Sequence, residues 1–342
     1  MAPSQSFANL REGCILAVMT LAERIKSKAR EIGFDLAGIA QAGPSQSHRR
    51  YGDWLERGRH GSMSYLARPD AITRRADVRE LLPPARSVVV VGVNYYSPFP
   101  AKHGEGIGAV ARYAWGDDYH EVVADKLAQL AAFLEVEIGH AVAHKICVDT
   151  SAVLEREWAV RAGLGWIGKN TMLIHPHAGS WFLLGELLLD LETDYDAPFT
   201  ADHCGTCTRC IEACPTRCIL PGRELDASRC ISYLTIELRG ASTYPAGLSD
   251  HIGEWVFGCD VCQQVCPWNR FARPNVEPAF ALRHTALNLR ELVEMDEETF
   301  RAMFPHSAIR RARRQGLAQN AAFVAANQAR LKEKPHEPTQ PR

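Results

Sequence analysis

Cys204, Cys207, Cys210 and Cys214, read with the following proline as CGTCTRCIEACP, are four thiols at a spacing that suits an iron-sulfur cube. In such a C-x2-C-x2-C-x3-C-P run, three thiolates hold one 4Fe-4S cluster and the fourth crosses to another. A second run, CDVCQQVCP, adds Cys259, Cys262 and Cys266. By the crossing rule Cys204, Cys207 and Cys210 take Cys266, while Cys259 and Cys262 take Cys214. Two cubes need eight thiolates, so one place stays open. Cys230, between the runs, is the natural candidate. Cys218 competes for it, but one helical turn past Cys214 it reads better as a buried or spare thiol. Zinc also accepts C-x2-C pairs, yet the four-cysteine run with its proline favours iron-sulfur. The C-x3-C-x2-C arrangement of radical enzymes that cleave S-adenosylmethionine does not occur.

A second candidate is Gly163-Leu-Gly165-Trp-Ile-Gly168-Lys169-Asn170, which matches both GxGxxG and GxxxxGK. Its context excludes both nucleotide loops. A dinucleotide fingerprint follows a strand and opens a helix, whereas here a helix precedes and a strand follows. A P-loop needs Ser or Thr after the lysine, and this chain has Asn170. The plain alternative is a glycine-rich helix-to-strand turn, and the better reading is a loop whose glycines admit a flat ligand against Trp166, Lys169 and Asn170.

The chain has 342 residues, 46% hydrophobic and 23% charged, with a formal net charge of -1. A nucleic-acid partner would therefore meet a local basic patch, such as Arg310, Arg311, Arg313 and Arg314, with Lys169 and Arg239 nearer the motifs. A run of charges is more often a solvated helix face. Eleven cysteines at metal-ligand spacings fit a reducing, cytoplasmic setting, although Cys14 has no assignment. The apolar run Ile15–Met19 is too short for an export signal, and no run reaches the roughly 18 residues of a membrane span. Residues 1–18 read as a disordered extension, with Met19 a candidate start.

These side chains need a scaffold. Thr20 and Glu23 form a capping box before Leu21, Ile25, Ala29 and Ile32, and Gly33 stops that helix. A short strand, 34–40, follows, and the β-branched run 87–93 (SVVVVGV) predicts a central strand buried on both faces. A helix over 119–138, a strand over 141–148, a helix over 151–162, two strands (171–175 and 181–189) and helices within 287–326 complete an α/β pattern. The polar, proline-containing end reads as disordered.

The stretches DTSAVLEREWAVRAGLGWIGKNTMLI, GSWFLLGELLLD, CISYLTIELRG, GCDVCQQVCPWNR and RYAWGDDYH closely resemble the epoxyqueuosine reductase family over about residues 20–328. The resemblance implies a cobalamin-binding α/β domain related to that of reductive dehalogenases (19–195), a ferredoxin-like domain with two 4Fe-4S clusters (196–272), a short helical cap (273–330) and a disordered tail (331–342). It implies reduction of epoxyqueuosine to queuosine at the wobble position of tRNA. An external low-potential donor would supply the electrons, and the protein is expected to be a monomer without a membrane partner. Cys230 becomes the eighth ligand and Asp149 the proton donor, although an aspartate there could instead cap the following helix. As a donor near neutral pH, Asp149 needs a raised pKa. Arg112, Trp166, Lys169, Asn170 and Asp260 fall in motifs near the corrin or substrate. The competing readings are a reductive dehalogenase acting on a small organohalide and a non-enzymatic two-cluster electron carrier.

Overall fold

The structure, a computed structural model, describes residues 19–238, 244–245 and 247–333. The expected extension 1–18, Cys14, Arg239 and the end of the tail lie outside the described residues. The chain enters through α1 (Leu21–Ile32), where Thr20 and Glu23 cap each other's backbone N–H groups and Gly33 closes the helix at φ 98°. Next come β1 (Leu36–Gln41), α2 (His48–Glu56), α3 (Pro69–Ala76), β2 (Ser87–Asn94) and β3 (Ile107–Val110). They lead to α4 (Tyr119–Ile138), β4 (His144–Cys147), α5 (Glu155–Arg161), the hairpin of β5 (Trp166–Ile167) and β6 (Leu173–Ile174), and β7 (Phe182–Leu189).

β1, β2, β7 and β4 form one sheet in that order, antiparallel throughout. The valine run lies where its pattern places it, between β1 and β7, with Val88 to Val91 fully buried. One face packs Ile25 and Ala29 of α1 and Leu127 and Leu130 of α4, and the other packs Trp158 and Ala159 of α5. The sheet thus sits between helical layers, with the loops at its edge free to carry the site.

The cysteine-rich segment has little regular structure: α6 (Arg209–Ala213), the β8–β9 pair (Ile219–Leu220, Glu224–Leu225), α7 (Ile231–Ile236), β10 (Trp255–Phe257) and α8 (Val261–Gln264). Beyond it run β11 (Ala286–Asn288), α9 (Leu289–Glu294), α10 (Glu297–Met303) and α11 (Arg313–Glu333), the last continuing past the expected limit at residue 330. A second sheet sets β3 between β10, parallel, and β11, antiparallel, so strands from three distant segments share one layer. Gly108 makes that layer possible, because a Cβ there would stand 2.3 Å from a Val256 methyl. Asn320 of α11 donates to the carbonyls of Thr235 and Val256 at 2.7 and 2.8 Å and accepts from the Tyr244 hydroxyl at 2.7 Å, tying the C-terminal helix to α7 and β10. Among the described residues, no helix is long and apolar enough to cross a membrane.

Candidate active site and cluster loops

The ends of β4 and α4 meet at Asp149. Asp118 caps α4 by accepting from the His120 N–H at 3.0 Å, and its carboxylate also meets His120 Nδ1 at 2.7 Å. That contact turns the other ring nitrogen, Nε2, to Asp149 Oδ2 at 3.1 Å. Asp149 has a left-handed backbone, φ 46°, unusual for a residue with a Cβ and worth on the order of 1 kcal/mol or more of strain. Its N–H donates to Glu155 Oε1 of α5 at 2.6 Å, which holds the turn in place. Asp149 is therefore not the side-chain cap of α5; Glu155 reaches back to it instead.

Burial pushes the Asp149 carboxyl up, but the imidazole of His120 and the hydroxyl of Tyr119 outweigh that effect and hold it below the usual range. The raised pKa expected for Asp149 is not found in this arrangement. Burial disfavours the His120 imidazolium, yet Asp118 and Asp149 together lift the ring to about 9. At neutral pH the pair is a carboxylate and an imidazolium, with its mobile proton on the histidine. Burial also raises Glu155, to about 7.

Asp149 stands at the rim of a cavity with about 1410 Å³ of empty space, its open mouth included. Tyr95, Tyr113, Tyr119, Leu183 and Phe182 give it broad apolar walls. Burial keeps the three phenols neutral, and the Tyr95 hydroxyl accepts from the Gln263 amide at 2.9 Å. The lining also includes Cys214, Cys230, Cys259 and Cys262, the four thiols assigned to one cluster. Cys204, Cys207, Cys210 and Cys266 line a separate small cavity against Ile174 and Trp268. Cys214 thus lines the large cavity with Cys218, Cys230, Cys259 and Cys262, and Cys266 lines the small one with Cys204, Cys207 and Cys210. Cys218 is buried, 3% exposed, and its sulfur lies 3.4 Å from that of Cys214 on the same wall as Cys230, so it touches the ligand set. Burial raises the Cys259 and Cys262 thiols, and a thiolate set in this setting calls for compensating metal charge. The donor set fits iron-sulfur clusters.

The other sequence candidates separate. Asp260, 1% exposed, lines the large cavity and pairs with the guanidinium of Arg112 at 2.9 Å. Arg112, itself 8% exposed, also donates to the carbonyls of Ser97 and Phe99, so it braces the wall from behind. Asn170 borders both cysteine cavities. Lys169 donates to the carbonyls of Gly205 and Cys207, 2.8 Å each, and so fastens the first cysteine loop. Trp166 is buried against Trp268 and His203, ring centres 5.0 Å away, beside that loop. The glycines before them do not open onto a flat ligand. Gly163 follows α5 with φ 76°, where a Cβ would crowd the Ala197 carbonyl, and a Cβ on Gly165 would stand 2.1 Å from the Ile174 carbonyl. The expected approach of a flat ligand to these glycines is corrected to a helix-to-strand turn packed on the chain's own carbonyls.

His120 and Glu155 were not singled out from the sequence. The only local signal was Asp118-Tyr-His120 at a helix start, because the partners that make His120 basic come together only on folding.

The family model "Epoxyqueuosine reductase QueG, DUF1730" matches residues 75–150, and "4Fe-4S double cluster binding domain" matches 203–269. An epoxyqueuosine reductase of Cyclobacterium marinum is 44% identical over 88% of this chain and 95% of its own length, and one of Xanthomonas campestris is 42% identical over 90% and 86%. A crystal structure of epoxyqueuosine reductase with an epoxyqueuosine-modified stem loop of tyrosine tRNA superposes with a TM-score of 0.81 at 31% identity, covering 89% of this chain and 80% of that one. The enzyme from Streptococcus thermophilus gives 0.81 at 29% identity, covering 92% and 85%. With identity above two-fifths across nearly the whole of a curated relative, and with the paired cysteine sets already in place, the chain belongs to the epoxyqueuosine reductase family.

Proposed function

We propose that this protein reduces epoxyqueuosine to queuosine at the wobble position of tRNA, with cobalamin held in the large cavity and the two clusters feeding it. The observation that carries the reading is the cavity itself, where four cluster thiols and Asp149, which pairs with His120, border the same space. The apolar, tyrosine-lined walls fit a corrin, and Asp260 and Asn170 are the proposed polar contacts. When bound, the clusters and cobalamin would supply the low-potential electrons that epoxide opening requires.

The protein's own groups do the rest. Arg112 fixes Asp260 in the wall, and Lys169 and Trp166 hold the first cysteine loop. His120 holds a proton against Asp149, and Asp149 delivers it as the oxygen leaves. The apolar walls exclude water from that transfer.

Of the four arginines noted near the C-terminal helix, Arg311 pairs with Glu237 at 2.8 Å and Arg314 donates to the Met295 carbonyl at 3.4 Å. Arg310 and Arg313 are exposed and are the proposed phosphate contacts of that group. The segments 19–195, 196–272 and 273–330 are the proposed domains, and the protein is proposed to work as a cytoplasmic monomer with an external low-potential donor.

The test is anaerobic reconstitution with iron, sulfide, cobalamin and a chemical reductant, followed by mass analysis of nucleosides from epoxyqueuosine-containing tRNA. Conversion to queuosine is the expected result. Reduction of a small organohalide without any action on tRNA would overturn it, as would a protein that carries clusters but binds no cobalamin.

A further inference from the structure

Removing an epoxide oxygen as water takes two electrons and two protons, and iron-sulfur centres pass electrons one at a time. The carrier that brings them must touch the protein where a cluster thiol set comes near the surface. Cys214, Cys230, Cys259 and Cys262 border the large cavity with Asp149. The other set reaches an outer face: Cys266 and Pro267 line both the small thiol cavity and an open hollow with about 1420 Å³ of empty space, its mouth included. This hollow shares no lining residue with the large cavity. The wall between them is built from paired side chains. Arg112 lines the hollow and its partner Asp260 the large cavity, and Asn269 lines the hollow while its partner Ser180 lines the cavity. A substrate seated at Asp149 therefore lies across that wall.

The face around the hollow is cationic and aromatic. Arg209 opens α6 just before Cys210 and is exposed. Arg270, also exposed, lies over Trp268 and Phe271, its guanidinium 5.9 and 4.5 Å from their ring centres. Among the described residues neither arginine meets a carboxylate. Arg112 is neutralised by Asp260, and Glu212, the one acid in the lining, accepts from the Thr208 hydroxyl. The uncompensated charge is thus two arginines against one glutamate, in a chain whose formal net charge is -1. Apolar side chains flank them. Phe271 is 37% exposed, and Phe99, whose carbonyl accepts from Arg112, is 59% exposed. Val276 follows Asn275, which donates to the carbonyl of Tyr96 in the lining, and is 90% exposed. Exposed apolar groups gathered beside one polar-rimmed hollow mark a contact surface.

We propose that this face is the docking site of the external donor, and that the donor is a small, acidic, one-electron carrier protein. Arg209 and Arg270 draw its carboxylates to the rim, and Phe99, Phe271 and Val276 meet the apolar edge around its redox centre. Phosphates also answer arginine, but the substrate cavity opens on the other side of the wall, which favours the carrier. Charge complementarity speeds an encounter more than it tightens it, and electron-transfer pairs bury little surface, which suits a partner that must leave after each electron. Each encounter oxidises the carrier by one electron and reduces the protein by one. Two encounters supply the two electrons that, with two protons, take off the epoxide oxygen as water.

This proposal rests on the reading of the cysteine sets as a relay into a tRNA-reducing cavity, and its test separates the two. The probe is a plant-type 2Fe-2S ferredoxin, an acidic low-potential carrier. In stopped flow at an ionic strength of about 0.01 M, reduced ferredoxin should reduce the wild-type holoprotein about tenfold or more faster than the Arg209→Glu, Arg270→Glu double variant, and the two rates should converge near about 1 M. Calorimetric titration with oxidised ferredoxin gives a readout without turnover, in which the double variant's Kd should rise about tenfold. Lys145→Glu, opposite Leu188 at the far end of β7 from Trp181, places a charge reversal elsewhere and should stay within about twofold of wild type. All three proteins should take up the same number of electrons from dithionite. If the double variant lacks iron, Arg270→Glu alone, outside the cysteine motifs, replaces it and should lose about threefold. Equal rates and affinities for wild type and variant overturn the proposal, as does a wild-type rate with ferredoxin that salt does not lower. It is also overturned if the double variant loses affinity for epoxyqueuosine-containing tRNA beyond the loss in Lys145→Glu, which makes the face a nucleic-acid surface. Conversion of tRNA with dithionite while the arginines prove indifferent keeps the functional reading and removes the docking site. Arginine-dependent reduction by ferredoxin without any conversion of tRNA by dithionite does the reverse.

Discussion

The two sides of the large cavity are made from the chain in opposite ways. The electron side draws Cys214, Cys230, Cys259 and Cys262 from one cysteine-rich stretch, where all but Cys230 sit in two short repeated motifs. The proton side joins His120 at the start of α4, Asp149 after β4 and Glu155 on α5. Thiolate ligands must converge on a cube of fixed size, which forces tight, repeated spacings. A proton path needs only neighbours in space, and a sheet with its helices can bring those from anywhere. The first side could therefore be read before folding, and the second only after it.

The largest expected effect is on the electron side. Cys230→Ser should leave the protein with the iron of one 4Fe-4S cluster and reduce turnover by about 100-fold or more. Cys218→Ser should retain both clusters. Iron and sulfide analysis with electron paramagnetic resonance checks this, and the reverse pattern would make Cys218 the ligand.

On the proton side, His120→Gln should slow turnover by about 100-fold at pH 8 and by less in acid, a size typical of acid-base groups. The sign follows from the pair. His120 is raised, so the stability from its ion pairs is fully present below about 6.5 and is lost as pH rises through about 9. Without the imidazolium, Asp149 moves up and must carry the proton itself, so activity retreats toward low pH. A pH-rate profile unchanged in shape would break the pairing of His120 with Asp149.

Away from both sides, Asn320→Ala removes a buried amide that joins α11 to α7 and β10. It should cost about 1–3 kcal/mol of stability, read by denaturant unfolding, with the cluster content unchanged. A loss of clusters in this variant would show that the C-terminal helix supports the electron side directly.

The same contrast explains what could be read from the sequence elsewhere. The valine run and the capping box at Thr20 are local patterns with one physical meaning each, and β2 and α1 appear where they indicate. The glycine motif at 163–168 is also local, but its meaning depends on neighbours, and the close approach it permits is to the chain's own Ala197 and Ile174 carbonyls. Arg112 and Asp260 were found separately by resemblance, and only the fold joins them as a buried ion pair. The protonation expected of Asp149 followed from its donor role, and the histidine that reverses it lies 29 residues away in sequence.

Asp149→Asn tests most directly whether electrons and protons meet in this one cavity. The substitution keeps the side chain's shape and removes its ability to take the proton from His120 and pass it on. In anaerobic assays with epoxyqueuosine-containing tRNA, the variant is expected to hold both clusters and cobalamin, to accept electrons as wild type does, and to form queuosine about 10²–10⁴ times more slowly. Queuosine formation at the wild-type rate by a fully loaded Asp149→Asn enzyme would contradict it.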